Sequence, residues 1–258
     1  MESDDKSAGI PTNMRLLIIL EELAQAGVPV TPTAVNETLN LPKPTIHRLF
    51  ATLEEEGFLQ RELDGRSYSA GRRLRKLSTN VLSSLRIRTA RLSVLNALAD
   101  EVGETCNIAV PDRDVMIYLD RVETKWPLRI QLPVGTEVPF YCTASGKMYL
   151  STLRNAHLDR YLNTAKLEPY TDRTKTDRAA LRAEIMKTRE RGYALDDEEF
   201  IEGMIAVAVA IKGDMGRLVS TLSFHAPTQR LTLPEAEERL PSLHRAAREL
   251  GALLVESA

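Results

Sequence analysis

The sequence predicts an α+β protein in two folded parts: an N-terminal winged helix-turn-helix, a linker helix, and a C-terminal domain of mixed strands and helices. Three observations carry this. Residues 14–56 read as three helical stretches in close succession, followed by two short alternating runs around Asp64-Gly65. Residues 71–102 hold one helical period without a proline, and from Glu104 onward strand-like and helix-like runs mix. The expected boundaries are a disordered tail over 1–11, the winged helix-turn-helix over 12–75, the linker helix over 76–102 and the second domain over 103–256.

The first helix rests on the run MRLLIILEELA from Met14, apolar almost all round and stopped by Gly27 ahead of Pro29. So broad an apolar surface implies burial on two sides, one within its own domain and one against a partner chain. Thr31 as N-cap and Pro32 at the first helical position open a second, short helix that ends near Asn40. Pro42 or Lys43 opens the third, whose Ile46, Leu49, Phe50 and Leu53 recur at helical spacing and form its buried face; Gly57 ends it. The period then changes to that of a hairpin, with strands over 58–63 and 66–69. This order is that of a winged helix-turn-helix, in which the third helix enters the major groove and the wing touches backbone or minor groove.

Charge supports that geometry only locally. The chain has 34 basic and 36 acidic residues, yet residues 41–91 alone hold eleven basic and five acidic groups, an excess of six. A solvated helix face would look the same; the position of the charges distinguishes the two. Lys43, Pro44, Thr45, His47 and Arg48 occupy the first turns of the third helix, and Arg66 and Ser67 flank the wing turn. These residues are the candidate double-stranded DNA contacts, with Lys43, Arg48 and Arg66 suited to phosphates or a guanine edge and Thr45 to a phosphate or a thymine methyl. Glu54, Glu55 and Glu56 lie at the far end of the helix. A winged helix used only for protein contact is the competing reading.

The remaining composition excludes several classes. No run of 18 apolar residues is present, which rules out a transmembrane helix, and the polar start is neither a signal peptide nor a lipidation motif. Cys106 and Cys142 are the two cysteines, with no CxxC, so neither a disulfide scaffold nor a cysteine zinc module fits. The expectation is a soluble, cytoplasmic protein. Aromatic residues make up 5% of the chain, too few for a base-stacking platform.

In the linker, Leu74, Leu77, Val81, Leu85, Leu92, Leu95, Leu98 and Val102 recur at helical spacing, which predicts a semi-rigid coupling between the two domains; Arg86, Arg88 and Arg91 read as solvent or inter-subunit residues. Beyond it, strands are expected over 105–110, 115–119, 128–132, 206–211 and 218–224, the last two joined as a hairpin around 213–216. Helices are expected over 144–153, 177–191 and 233–256, the last kinked or split by Pro241.

The run LPKPTIHRLFATLEEEGFL at 41–59 resembles the DNA-binding domain of the isocitrate lyase regulator (IclR) family. DRVE at 120–123, TASGK at 143–147 and RGYALDDEEFIEG at 191–203 resemble that family's landmarks in order and spacing, so the resemblance covers roughly residues 12–256. It implies that the C-terminal part is a GAF-like effector-binding domain and that the protein forms homodimers, or dimers of dimers, on palindromic operators as an activator or repressor. It implies an effector site for a small organic acid, aromatic acids included, at Ala144, Ser145 and Gly146, at Asp196 or Asp197, and at Ala206, Ser223 and His225. The sequence departs from the family where many members have a cysteine, here Ala206, and at His225, often a serine. Protonated His225 would bind a carboxylate and neutral His225 a ring hydroxyl; a half-exposed strand histidine is the alternative. Backbone N–H groups of Ser145, Gly146 and Lys147 would form an anion site at a helix start, unless they serve only the helix cap. Tyr141 and Cys142 stand just before this segment and are expected to line the site; Cys106 reads as an inert core residue.

No cofactor is implied. GxSxG and HExxH motifs are absent and the four histidines have no ligand spacing, so an enzyme is disfavoured; 196–199 (DDEE) reads as a solvated or ligand-orienting edge rather than as paired catalytic carboxylates. A metal-responsive regulator using His225 with Asp196 or Asp197 is a further alternative, although no spacing demands it.

Overall fold

The computed structural model describes residues 10–82, 85–213 and 216–255, in two compact units that divide between residues 82 and 83. Of the tail expected over 1–11, residues 1–9 lie outside the described residues.

The first unit holds α1 (Met14–Ala26), α2 (Pro32–Leu39), α3 (Lys43–Glu55), β1 (Leu59–Arg61), β2 (Tyr68–Ala70) and α4 (Arg72–Leu82). Each start and stop has a local cause. Gly27 caps α1 in the left-handed region and returns its N–H to the Leu23 carbonyl; the Thr31 hydroxyl accepts from Ala34 N at 3.2 Å to open α2. In the turn between α2 and α3 the Asn36 side chain clasps Leu41 twice, donating to its carbonyl at 2.8 Å and accepting its N–H at 2.9 Å. The four apolar residues of α3 are buried as their spacing predicts, each contributing about 1.5–3 kcal/mol relative to exposure. Phe50 meets Tyr68 of the wing edge to face at 5.1 Å between centroids. Met14 and Leu17 of α1 remain exposed within this unit.

The stretch expected as one linker helix over 76–102 comprises the second half of α4 and α5 (Leu85–Val102), with residues 83 and 84 outside the described part. Arg91 is buried and, with Arg88, holds the buried carboxylate of Asp120 at 2.6 and 3.2 Å. Arg91 is therefore structural, correcting its reading as a solvent or inter-subunit residue, whereas Arg88 is exposed while it pairs; the Arg86 side chain lies outside the described part.

The second unit is a six-stranded antiparallel sheet in the order β5-β4-β3-β8-β7-β6, formed by β3 (Thr105–Asp112), β4 (Val115–Val122), β5 (Glu137–Pro139), β6 (Ala194–Asp197), β7 (Met204–Lys212) and β8 (Leu218–Pro227). The helix α6 (Ala144–Thr152) covers one face, backed by α8 (Arg178–Arg191). On the other face α5 packs with α10 (Leu240–Val255). The α+β class predicted from sequence is the class observed. At the turn of the β7–β8 hairpin, residues 214 and 215 lie outside the described part.

Two points of the sequence reading need correction. Residues 128–132 alternate like a strand but form none, because side chains take their carbonyls: Arg230 donates to Leu128 O at 3.1 Å and Arg121 to Ile130 O. The edge of β4 pairs instead with β5. The helix α7 (Asn155–Thr164), which buries Leu158 and Leu162 one turn apart, has no counterpart in the sequence reading. The terminal helix is split as expected, into α9 (Leu233–Glu237) and α10, with Pro241 at the second position of α10, where its missing N–H costs nothing.

Candidate functional site

Two constellations stand out, one in each unit. In the first, Lys43, Pro44, His47 and Arg48 are exposed on α3, with Thr45 half-buried between them, and Arg66 is exposed beside the wing turn. Neighbouring charges are handled differently. Arg61 makes a two-point bond to Glu54 at 3.0 and 2.7 Å while stacking over Tyr68, and Arg73 pairs with Glu56 at 2.7 Å over the Phe58 ring. Lys43, Arg48 and Arg66 make no ion pair among the described residues. The far-end glutamates thus neutralise the two arginines nearest them and leave the helix start and the wing turn basic.

Ser67 behaves differently from its expected companions. It is buried, and its hydroxyl donates to Asp64 Oδ2 at 2.6 Å while the backbone N–H groups of Arg66 and Ser67 donate to Oδ1 at 2.8 and 2.9 Å. These bonds, the Ser67 hydroxyl first, hold the Asp64 carboxyl down at about 2. Ser67 therefore shapes the turn that displays Arg66 and does not itself present a surface.

In the second unit the strand registers put Thr105, His225, Ala206 and Asp196 in one cross-strand row, and Asn107, Ser223, Ala208 and Ala194 in the next. Side chains of paired residues share a face. The face is the one under α6: Ala144 and Met148 pack on Ala194, Ala206 and Ala208, and Ser145 donates to Ser223 at 3.3 Å. Seven of the eight expected effector residues therefore meet on one face. Asp197 is the exception, since it points away and pairs with Arg173 at 2.7 Å.

At the start of α6 the Thr143 hydroxyl accepts Gly146 N–H at 3.1 Å and the Thr143 carbonyl accepts Lys147 N–H at 2.9 Å. Two of the three amides expected to greet an anion are thus spent on the cap, while those of Ala144 and Ser145 make no hydrogen bond among the described residues. Gly146 is required by a close approach: a Cβ there would stand 2.2 Å from the Phe140 Cα.

Sequence reasoning missed the groups that fix His225. Arg121, paired with Glu123 at 3.2 Å, donates to Asn107 Oδ1 at 3.1 Å; Asn107 must then turn its amide nitrogen to His225 Nδ1, 2.8 Å away. With Nδ1 accepting, the ring proton sits on Nε2. Burial, aided by the Arg121 charge, pushes the imidazole down to about 3. The protonated, carboxylate-binding form and the half-exposed form are both set aside: His225 is a buried, neutral N–H donor. No sequence signal links Asn107 to His225, 118 positions away.

Asp196 is buried and accepts Glu199 N–H at 2.8 Å and Phe200 N–H at 3.4 Å. Burial raises its carboxyl to about 7 against the pull of Lys147. Lys147, fully buried, pairs with Glu199, which Lys175 also reaches at 2.8 Å. The Tyr141 hydroxyl is engaged with the backbone of Glu168, and Cys142 is buried with its thiol pushed up by desolvation. Burial likewise pushes up the Cys106 thiol. Immediately beyond the His225–Ala206 row, the next pair, Pro227 and Met204, lines a cleft of about 400 Å³ under the 128–132 segment. None of the eight expected residues lines that cleft itself. Among the described residues no group of three or more His, Cys, Asp and Glu stands ready to hold a metal, and no helix is long and apolar enough to cross a membrane.

Comparison with known proteins places both units. Residues 14–63 match the IclR helix-turn-helix domain, and residues 79–252 match the C-terminal domain of bacterial IclR transcriptional regulators. The chain is 38% identical to the probable transcriptional regulator SauR of Cupriavidus necator, over 92% of this chain and 94% of that protein. It is 28% identical to the transcriptional repressor IclR of Escherichia coli, over 92% and 87% of the two chains. The crystal structure of the Thermotoga maritima IclR superposes with a TM-score of 0.62 at 29% identity, covering 93% of this chain and 97% of that one.

Proposed function

This chain belongs to the IclR family of bacterial transcriptional regulators, and from that premise we propose how its two units divide the work. The family consists of DNA-binding regulators with a C-terminal effector domain, not of enzymes. Lys43, Thr45, His47 and Arg48 read a major groove, with Pro44 at the helix start against the backbone and Arg66 on phosphate or in the minor groove. The observation that carries this reading is the selective pairing of charge: Arg61 and Arg73 are neutralised, whereas Lys43, Arg48 and Arg66 are left for phosphate. Ser67 supports the wing turn from within. The protein acts in the cytoplasm as a homodimer or dimer of dimers on a palindromic operator.

In the second unit a small organic acid, aromatic acids included, binds on the face under α6. The Ala144 and Ser145 amides receive its carboxylate, Ser145 and Ser223 flank it, Gly146 lets the helix start sit close, and Ala206 leaves room between Asp196 and His225. His225 Nε2–H donates to an acceptor oxygen on the ligand, so recognition there is by a neutral hydrogen bond rather than an ion pair. Asp197 takes no part. The ligand shifts operator affinity only by its differential affinity for the two states, and operator and effector must influence each other equally.

The test is selection of genomic fragments by the purified protein at near-physiological salt, followed by footprinting. The expected result is a palindromic site with both half-sites on one DNA face, bound in a salt-dependent manner. Recovery of nothing above non-specific background would overturn the assignment of α3 as a reading helix.

A further inference from the structure

We infer that the cleft between the end of β7 and α10, which none of the residues assigned to the effector lines, is a second small-ligand site that takes a polyanion, a phosphorylated or polycarboxylate molecule. The cleft measures about 380 Å³, and its polar lining is Lys212, His244 and Arg248; no carboxylate lines it. Its remaining walls are small residues, including Ala210, Gly213 and Gly251, so the three basic side chains border open volume rather than bulk.

The backbone around it is held in place. A Cβ on Gly251 would stand 2.6 Å from the Lys212 carbonyl oxygen, which means α10 is pressed directly onto the last residue of β7. On the opposite side β6 pairs with β7 only from Ile205 to Ala208, so residues 209–212 have no strand neighbour there among the described residues. Along that edge Val209 and Ile211 are buried, and Ala210 and Lys212 are the accessible residues.

The cations are not spoken for. Lys212 and Arg248 make no ion pair among the described residues. Among the described residues, Glu101 on α5 pairs with Arg245 and takes a bond from Ser242 at 2.7 Å, and the charge of Glu249 on α10 acts on that same arginine. The imidazole of His244, half-buried, is held below its ordinary range by desolvation and then by the charges of Arg248 and Lys212. Among the described residues no carboxylate lines the cleft to offset them. A cleft in which two cations keep a third basic group from protonating gains from any ligand that carries the missing negative charge, and a divalent or trivalent ligand gains most.

The experiment follows the His244 ring by NMR in the full-length protein while inorganic pyrophosphate or citrate is titrated at constant ionic strength, with acetate as the monovalent control. The expected result is a saturable shift of His244 with pyrophosphate or citrate and none with acetate. Affinity should fall about tenfold or more in the Lys212→Ala, Arg248→Ala double variant and persist in His225→Asn, which separates this cleft from the α6 face. A shift that tracks ionic strength alone, or equal binding by the double variant, would overturn the proposal. Displacement of pyrophosphate by stoichiometric duplex DNA would also overturn it, assigning the cleft to a DNA backbone. Operator binding, measured separately, reports on the regulator reading whichever result is found here.

Discussion

The α3–wing surface and the face under α6 are built by opposite uses of charge. At the far end of α3 Glu54 and Glu56 pair with Arg61 of β1 and Arg73 of α4, while Lys43 and Arg48 are left bare at the near end, so the surface costs the fold little and is open to a large polyanion. Under α6 nearly every polar group is buried and already engaged: Ser145 with Ser223, Asn107 with both Arg121 and His225, Lys147 with Glu199. Exposed charges select a partner by long-range attraction, whereas buried, satisfied groups select by shape and by which single donor or acceptor remains. Substitutions at the first should therefore alter binding without altering stability, and substitutions at the second should alter stability first.

The largest effect that would test this contrast is at Gly146. Replacement by Val drives a Cβ into the Phe140 backbone. A loss of about 3 kcal/mol or more is expected, read as unfolding of the second unit in thermal melts. A variant that melts with the wild type would contradict the packing. Next is Asp120→Asn, which strips the buried partner from Arg91 and Arg88. It should cost about 3–5 kcal/mol in denaturant unfolding; a cost within about 0.5 kcal/mol would mean that the pair is not a structural anchor.

Arg48→Ala should behave in the reverse manner, with unchanged stability and operator binding weakened by about 1–3 kcal/mol if it reads a guanine by two bonds. Unaltered DNA affinity would remove α3 from the interface. The effect at Asp196 is comparable or smaller and depends on pH. Its carboxyl is raised to about 7 from 3.8, so the fold holds a proton that the unfolded chain has released, and stability is lost as pH rises from about 4 through 7. Asp196→Asn keeps an oxygen for the Glu199 and Phe200 amides and removes that slope. The variant should gain roughly 2–3 kcal/mol on the wild type between pH 5 and pH 8; an equal difference at both pH values would refute the buried, protonated state. His225 has the opposite sign: lowered to about 3, it contributes stability above its ordinary 6.5 that is lost as pH falls toward 3. In the interval where both act the two slopes oppose each other, which single variants would expose. Smallest is Thr31→Ala, which removes the α2 cap for about 1 kcal/mol and leaves the α6 face untouched.

The same contrast explains what could be read without coordinates. The helices of the first unit, the buried face of α3 and the exposed basic residues at its start follow from local periodicity and caps, signals that lie within a few residues of each other. Ser67 departs from its neighbours because Asp64 captures its hydroxyl through a turn that composition does not display. Within 128–132 the alternation is real, yet guanidinium groups from Arg121 and Arg230 take its carbonyls before any strand does.

The sequence by itself determined the order of elements in the first unit, the two-unit plan, the basic start of α3 and, through four motifs in register, the family. Each of these rests on interactions between residues close along the chain or on patterns repeated within one element. Only the tertiary structure decided that Asp196 and not Asp197 faces the α6 side, that His225 is neutral with its proton on Nε2, and that Asp120 is an anchor for α5. Side-chain direction on a strand depends on register with a neighbour, and protonation depends on burial and on charges brought in from distant segments. Neither quantity exists until the sheet has formed.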